Sequence, residues 1–289
     1  MSQVQLGVIG GSGVYHMQGV TLVAEHRMDT PFGQPSDAVI ETRIGDRTVY
    51  FLPRHGRGHV LLPSEVPYRA NVHAMKQLGV THLLAVSAVG IMKEEIKPGD
   101  MVIPDQIFDR TKGTRPSTFF GEGIVGHVTF ADPFCEEMRG ALLTACNRKD
   151  AAVHMGGTYV CMEGPQFSTR AESQFYRREV DATVIGMTAL PEAKLAREAE
   201  MCYGMLAMGT DYDCWHEAEE DVSVEAVVAV LNANAERANE IVKTLADILP
   251  LNSECPCLRA AQFAIMTAPL SITEAAKTRL QVLYGKYMK

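Results

Sequence analysis

The stretch Val4-Gln5-Leu6-Gly7-Val8-Ile9-Gly10-Gly11-Ser12-Gly13 decides the fold class. Its apolar run, Val4 to Ile9, stops at glycines, which is the pattern of a buried strand emptying into a tight loop. Further strand-like runs are expected at Val49–Leu52, His82–Val86, Met101–Ile103, Val184–Ile185 and Tyr203–Met208. Helical spacing falls between them. Ala70, Met75 and Leu78 share a face ahead of Gly79, a good C-terminal stop, and Pro191 suits the first turn of another helix. A longer helix is expected after Ser223, with an apolar face from Val224 through Ala238 and Leu245 to Ile248, ended by Pro250. Strand alternating with helix predicts an α/β fold with a largely parallel β-sheet flanked by helices. No linker divides the chain before about residue 250, so residues 1–250 are expected to form the body. Residues 251–289 read as an appendage packed on the body or on a neighbouring subunit. In that tail, Ser271-Ile272-Thr273-Glu274 has the form of a capping box for a last helix closed by Gly285.

Composition narrows the class of function. The chain has 289 residues, 46% of them hydrophobic, and a net charge of -8. An acidic protein without basic clusters fits nucleic acid poorly, because such binding leans on Lys and Arg contacts to phosphates. No run approaches the roughly 20 apolar residues of a membrane span, and Met1-Ser2-Gln3-Val4-Gln5 lacks the basic-then-apolar order of a signal peptide. A cytoplasmic protein is the default expectation. There are seven cysteines, and most read as small buried hydrophobes. Cys255-Pro256-Cys257 stands out as a chance pair, half a metal site or a strained redox pair. No second Cys/His pair at zinc-ligand spacing accompanies it, so zinc, and metal in general, is not expected.

Four segments carry chemistry. The glycine loop with Ser12 offers backbone N–H groups to a phosphate, although it lacks the third glycine of a dinucleotide site and the Gly-Lys-Ser/Thr of a P-loop. A purely structural turn is the plain alternative. Arg54-His55-Gly56-Arg57-Gly58-His59 follows a strand, where ligands of open α/β sheets sit, and arginine carries a planar fork matched to phosphate. An exposed basic turn would look the same. In Met162 to Glu172, Phe167 could stack on a base or simply pack. Thr210-Asp211-Tyr212-Asp213 sets two carboxylates just after a buried run, as a proton donor or base-reading pair, or as an Asx turn of solvated acids.

Together these segments resemble the methylthioadenosine phosphorylase branch of the trimeric purine nucleoside phosphorylases. The resemblance rests on GVIGGSG, DTPFGQPSD, RHGRGH, PYRANVHAMKQLG, SAVG, PGDMVIPDQIFDRT, EGPQFSTRAES, GMTALPEAKLA and TDYDCWHEAEEDVSV, in order from about residue 6 to 228. It implies a single α/β domain with a central mixed sheet, assembled as a homotrimer or a dimer of trimers. The implied activity is phosphorolysis of 5'-methylthioadenosine, with inorganic phosphate as co-substrate and no cofactor. Phosphate would meet Ser12, Arg54, His55, Ser87, Ala88 and Thr188, and the pentose the backbone of Met187. The base would pack on Phe167 and be read by Asp211 and Asp213, the catalytic acids. The 5' substituent would lie by Val224 and Val227, with His59 near it and His127 and Met266 reaching in from a neighbour. Some members carry Thr where Ser87 stands. Relatives preferring 6-oxopurines commonly carry Asn at the first acid, so Asp211 implies a 6-aminopurine. A broader specificity, or a nucleoside-binding protein without catalysis, is the alternative. The Cys-X-Cys is similar to one in archaeal relatives, where it accompanies disulfides and heat resistance, and the final twenty or so residues have no counterpart in shorter relatives.

Overall fold

The structure is a computed structural model that describes residues 2–11, 20–216 and 224–288, with the side chains of 224–229 and 231–233 left out. Ser12 and the side chains of Val224 and Val227 therefore lie outside the described residues. A two-stranded ribbon, β1 (Ser2–Gln3) with β13 (Asn252–Ser253), ties the start of the chain to the tail. The remaining strands form one eleven-stranded sheet. They are β2 (Leu6–Gly10), β3 (Thr21–His26), β4 (Val39–Ile44), β5 (Arg47–Pro53), β6 (His82–Ile91), β7 (Met101–Ile103), β8 (Gln106–Arg110), β9 (Val153–Met155), β10 (Thr158–Met162), β11 (Ala182–Gly186) and β12 (Cys202–Asp211). The helices are α1 (Tyr68–Gln77), α2 (Glu136–Arg148), α3 (Arg170–Glu179), α4 (Ala189–Glu198), α5 (Val224–Ile248), α6 (Glu274–Arg279) and α7 (Gln281–Tyr284).

The sheet is mixed with parallel pairs in the majority. β2 runs parallel to β5 and β6, β12 parallel to β6, and β10 parallel to β8 and β11, while β3, β4 and β5 form an antiparallel meander. β2 is buried along its whole length, which its continuous apolar sequence requires of a strand covered on both faces. Gly7 is forced by packing, since a Cβ there would stand 2.8 Å from Val80 Cγ1. Just before Val80, Gly79 takes φ +80°, and the N–H groups of Gly79 and Val80 reach back to Lys76 and Met75. That Schellman closure ends α1 at the glycine its sequence marks as a stop.

Helices cover both faces. Val72 and Met75 of α1 and Leu195 of α4 share one apolar cluster; Met138 and Leu142 of α2 and Ile241, Val242 and Leu245 of α5 share the other. The expected apolar face of the long helix is thus buried at Ala238, Ile241, Val242 and Leu245 and half-buried at Ala235 and Ile248. The tail joins the first cluster through Ile272, Leu280 and Tyr284, and Tyr284 stacks on Phe120 at 4.9 Å.

Two expectations for the tail need correction, and one helix was not foreseen. The tail's capping residue is Thr273, whose hydroxyl accepts from the Ala276 N–H, while Ser271 belongs to a preceding 3-10 turn. The last helix is two short ones, broken at Leu280. A true capping box sits at Thr169 and Glu172, at the start of α3. That helix buries only Ser173 and Tyr176 and so carries almost no apolar stripe to betray it.

Candidate active site

Strand β6 changes partners on one edge. β2 accompanies it as far as Gly10 opposite Val86, and β11 takes over, antiparallel, at Ile185 opposite Gly90. Ser87, Ala88 and Val89 lie between, on an edge that neither strand covers. An open sheet divides there, and ligands bind at such switch points beyond the strand ends. The Ser87 hydroxyl stands 3.3 Å from that of Thr188, which follows β11 and precedes α4. Thr188 makes no side-chain cap to its own helix, so its hydroxyl is left to the site. Two hydroxyls and an uncovered strand edge make a neutral nest for an anion.

The Arg54 side chain is 1% exposed, and its fork is taken. Nε and Nη2 donate to the two carboxylate oxygens of Glu192 at 2.8 and 3.0 Å, Nη2 also to the Ile9 carbonyl and Nη1 to that of Val86. The expected bidentate grip of this arginine on phosphate is therefore corrected. A guanidinium has five N–H bonds, and the described residues already receive four, leaving one on Nη1. The exposed-basic-turn alternative holds only for the outer half of the turn, since Arg54 and His55 are buried whereas Arg57, Gly58 and His59 are exposed. Glu192, held in turn by the Tyr203 hydroxyl at 3.0 Å, is a partner that sequence reading missed.

His55 is also buried, and its Nδ1 lies 2.8 Å from the Leu61 carbonyl. A carbonyl only accepts, so Nδ1 carries the hydrogen and Nε2 is left as an acceptor. Burial first, and then the neighbouring Arg54 cation, push its pKa down to about 4. The His59 ring stacks on it at 4.3 Å between centroids, which places His59 on the outer side of the same turn.

The base-reading end lies beside this nest. A Cβ on Gly90 would stand 3.4 Å from Asp211 Oδ1 and 3.5 Å from the Asp213 Cβ. Both halves of the sequence alternative for this pair hold in part. The Asp213 N–H donates to Asp211 Oδ1 at 2.9 Å, which is an Asx turn, and Asp213 sits at φ 52°. Asp213 is not solvated, however, and Asp211 is half-buried. Asp213 is 6% exposed, and its Oδ2 accepts from the Ser173 hydroxyl at 2.5 Å. Burial, reinforced by the Asp211 charge, raises the Asp213 pKa to about 6. Burial also raises that of Asp211, against a 2.7 Å bond from the Thr210 hydroxyl. Trp215 pins the loop by donating from Nε1 to the Ile91 carbonyl at 2.7 Å.

Between the two ends runs a buried cation absent from the sequence expectations. Arg115 donates to Glu163 Oε1, to the Glu163 carbonyl and to the Met187 carbonyl, each at 2.6 Å. It thereby fixes the loop that carries Phe167 against the segment that carries Met187. Phe167 itself is 46% exposed, so in this chain it is not a core packing residue. His127 and Met266 are brought together elsewhere. They flank the bridge between Gly126 and Ile265, and Met266 is 68% exposed beside Phe263 at 87%. A separate surface hollow of about 420 Å³, lined by Lys93, Arg177, Arg178 and Trp215, contains none of the expected site residues.

The fold also gathers four cysteines that are scattered in the sequence. The sulfur atoms of Cys135, Cys202, Cys255 and Cys257 all lie within 4.8 Å of one another. The pair that the sequence seemed to lack comes from residues 67 apart on different elements, a spacing no zinc motif contains.

Residues 5–247 match the Phosphorylase superfamily. The chain belongs to that family. Within it, the chain is 52% identical over 288 residues to the S-methyl-5'-thioadenosine phosphorylase of Geobacter sulfurreducens, covering all of both chains. It is 53% identical over 285 residues to that of Koribacter versatilis, covering 99% of this chain and 97% of the relative. Among solved structures, a methylthioadenosine phosphorylase from an antarctic soil metagenomic library superposes with a TM-score of 0.92 at 46% identity, over 98% of this chain and 99% of that one. The Schistosoma mansoni enzyme in complex with adenine superposes at 0.83 with 37% identity, over 90% and 96%. The fold of this family, a mixed sheet with helices on both faces, is the fold described above.

Proposed function

We propose that the chain splits 5'-methylthioadenosine with inorganic phosphate, giving adenine and 5-methylthioribose 1-phosphate. The observation that carries this reading is the adjacency of a neutral hydroxyl nest at Ser87 and Thr188 to a buried acid of raised pKa at Asp213. Phosphorolysis needs an anion held on one side of a sugar and a proton available on the other. In this reading phosphate is held by Ser12, Ser87, Ala88, Thr188 and His55, with the one remaining Nη1 hydrogen of Arg54. A phosphate oxygen forms the new bond to C1' as the bond from C1' to N9 breaks. The Asp213 carboxyl delivers its proton to N7 of the leaving adenine, and Asp211 accepts from the 6-amino group. Phe167 covers the base, the Met187 backbone lies along the pentose with His59 outside it, and no cofactor enters any step.

Val224 and Val227, whose backbones lie in the first turn of α5, are assigned to the methylthio group in this reading. His127 and Met266, displayed together at the surface with Phe263 and with Leu270, which is fully exposed, complete the site of a neighbouring copy in a homotrimer or a pair of trimers. Among the described residues no helix is long and apolar enough to cross a membrane, and we place the activity in the cytoplasm. The test is a substrate panel of methylthioadenosine, adenosine and methylthioinosine, each with and without phosphate. Phosphate-dependent release of adenine, fastest from methylthioadenosine, is the expected result. Preference for methylthioinosine would move the assignment to 6-oxopurines, and no turnover of any would leave a binding protein.

A further inference from the structure

We propose that Cys135, Cys202, Cys255 and Cys257 bind a single soft divalent metal ion, of the zinc class, that staples the tail to the body of the subunit. All seven cysteines lie among the described residues and none is in a disulfide. Four of them converge from three places. Cys135 stands at the N-cap position of α2 with no side-chain capping bond, Cys202 opens β12, and Cys255 and Cys257 flank a proline at the start of the tail. Their sulfurs all fall within 4.8 Å of one another, with Cys135 and Cys255 at 3.5 Å. A tetrahedral ion with metal–sulfur bonds of about 2.3 Å sets its sulfurs roughly 3.8 Å apart. The cluster therefore has the size of one mononuclear site and is too small to enclose an iron–sulfur core.

The surroundings fit that chemistry. The ion replaces four thiol protons, which leave to solvent, and gains four thiolates with no change of oxidation state. Cys135, at the positive end of a thirteen-residue helix, is placed to hold thiolate charge. An outer network is already assembled. The Ser253 hydroxyl accepts from the Cys255 N–H at 3.0 Å and donates to Glu137 at 2.9 Å, and Glu137 holds His82 at 2.7 Å. Metal sites are commonly steadied by such a carboxylate and its partners. Cys135 and Cys202 are buried, whereas Cys255 and Cys257 are half-buried, so the tail closes the site from the outside.

The test is made on the full chain, purified without chelating tags from zinc-replete cells. Elemental analysis should find one zinc per chain. Exchange for cobalt should give the thiolate charge-transfer bands and intense visible absorption of a tetrahedral sulfur site. Cys255→Ser and Cys257→Ser, at the half-buried tail positions, should each lose most of the metal and melt at lower temperature. Because neither residue touches the nucleoside or phosphate groups, kcat and the KM for phosphate should stay within about twofold. Metal-free protein with four reactive thiols that take up neither zinc nor cobalt would overturn the proposal. So would alkylation under denaturing conditions without reductant that leaves these cysteines unmodified until a reductant is added, which would identify disulfides instead.

Discussion

Asp213 combines a reactive proton with a folding penalty. Its pKa near 6 means that the folded state holds a proton which the unfolded carboxyl has already released. Folding stability from this group is therefore greatest below the unfolded value and declines as pH rises through about 6. Asp213→Asn keeps the size and the hydrogen bond from Ser173 but abolishes that titration. At pH 7.5 the variant should melt higher, with a gain of up to roughly 3 kcal/mol, since each tenfold change in proton affinity is worth about 1.4 kcal/mol. Its turnover of methylthioadenosine should drop at least a hundredfold. The wild-type kcat/KM should fall with rising pH through about 6, and the variant should lack that limb. A variant both less stable and unchanged in pH profile would refute the assignment. The pair itself was legible, since two acids after an apolar run announce an interest in protons. Arg54 was misread because sequence shows the fork and not its partner. Glu192 lies 138 residues away, and only the fold reveals that a carboxylate fills the place expected for phosphate.

Among the elements, α3 matters more than its polar sequence suggested. Its capping box, with Thr169 Oγ1 accepting from the Glu172 N–H at 3.2 Å and Glu172 answering to the Thr169 N–H at 2.9 Å, begins two residues after Phe167. Thr169→Ala should cost about 1 kcal/mol of stability. Because the same turn aims Phe167, it should raise the KM for nucleoside several-fold while leaving kcat and the KM for phosphate nearly unchanged. Thermal melts and two-substrate kinetics check both parts, and a drop in kcat alone would count against the link. The strands that sequence located, β2, β5, β6, β7, β11 and β12, all contain runs buried on both faces. Those it passed over include β3 and β8, whose sequences mix charge with apolar residues because they lie at the margins of the sheet and are largely exposed. Periodicity reports burial, and marginal strands have little of it to report.

At the scale of the whole molecule, the tail presents large apolar side chains to solvent, with Phe263 at 87% and Met266 at 68% exposed on the same segment. On the proposed homotrimer, Met266→Asp should leave monomers by light scattering and reduce turnover of methylthioadenosine more than tenfold, with the fold intact by circular dichroism. Full activity in a monomer would show that each subunit carries a complete site. Sequence could flag the tail as an appendage but not its route, because the contacts that seat Tyr284 on Phe120 join residues 164 positions apart.

The neutral histidine at position 55 has a consequence for anion choice. With Arg54 neutralised by Glu192 and the chain at -8, little in the described pocket attracts negative charge from a distance. Added potassium chloride should leave the KM for phosphate unchanged or lower it, since screening relieves a repulsion. In the proposed reading, selection falls instead to Nε2 of His55, whose lone pair should accept from an anion still bearing a hydrogen and disfavour one without it. Arsenate, protonated like phosphate near neutrality, should replace it as a co-substrate. Sulfate, equal in size and charge but without a hydrogen to offer, should inhibit only weakly, so the site tells two near-identical oxyanions apart by counting protons.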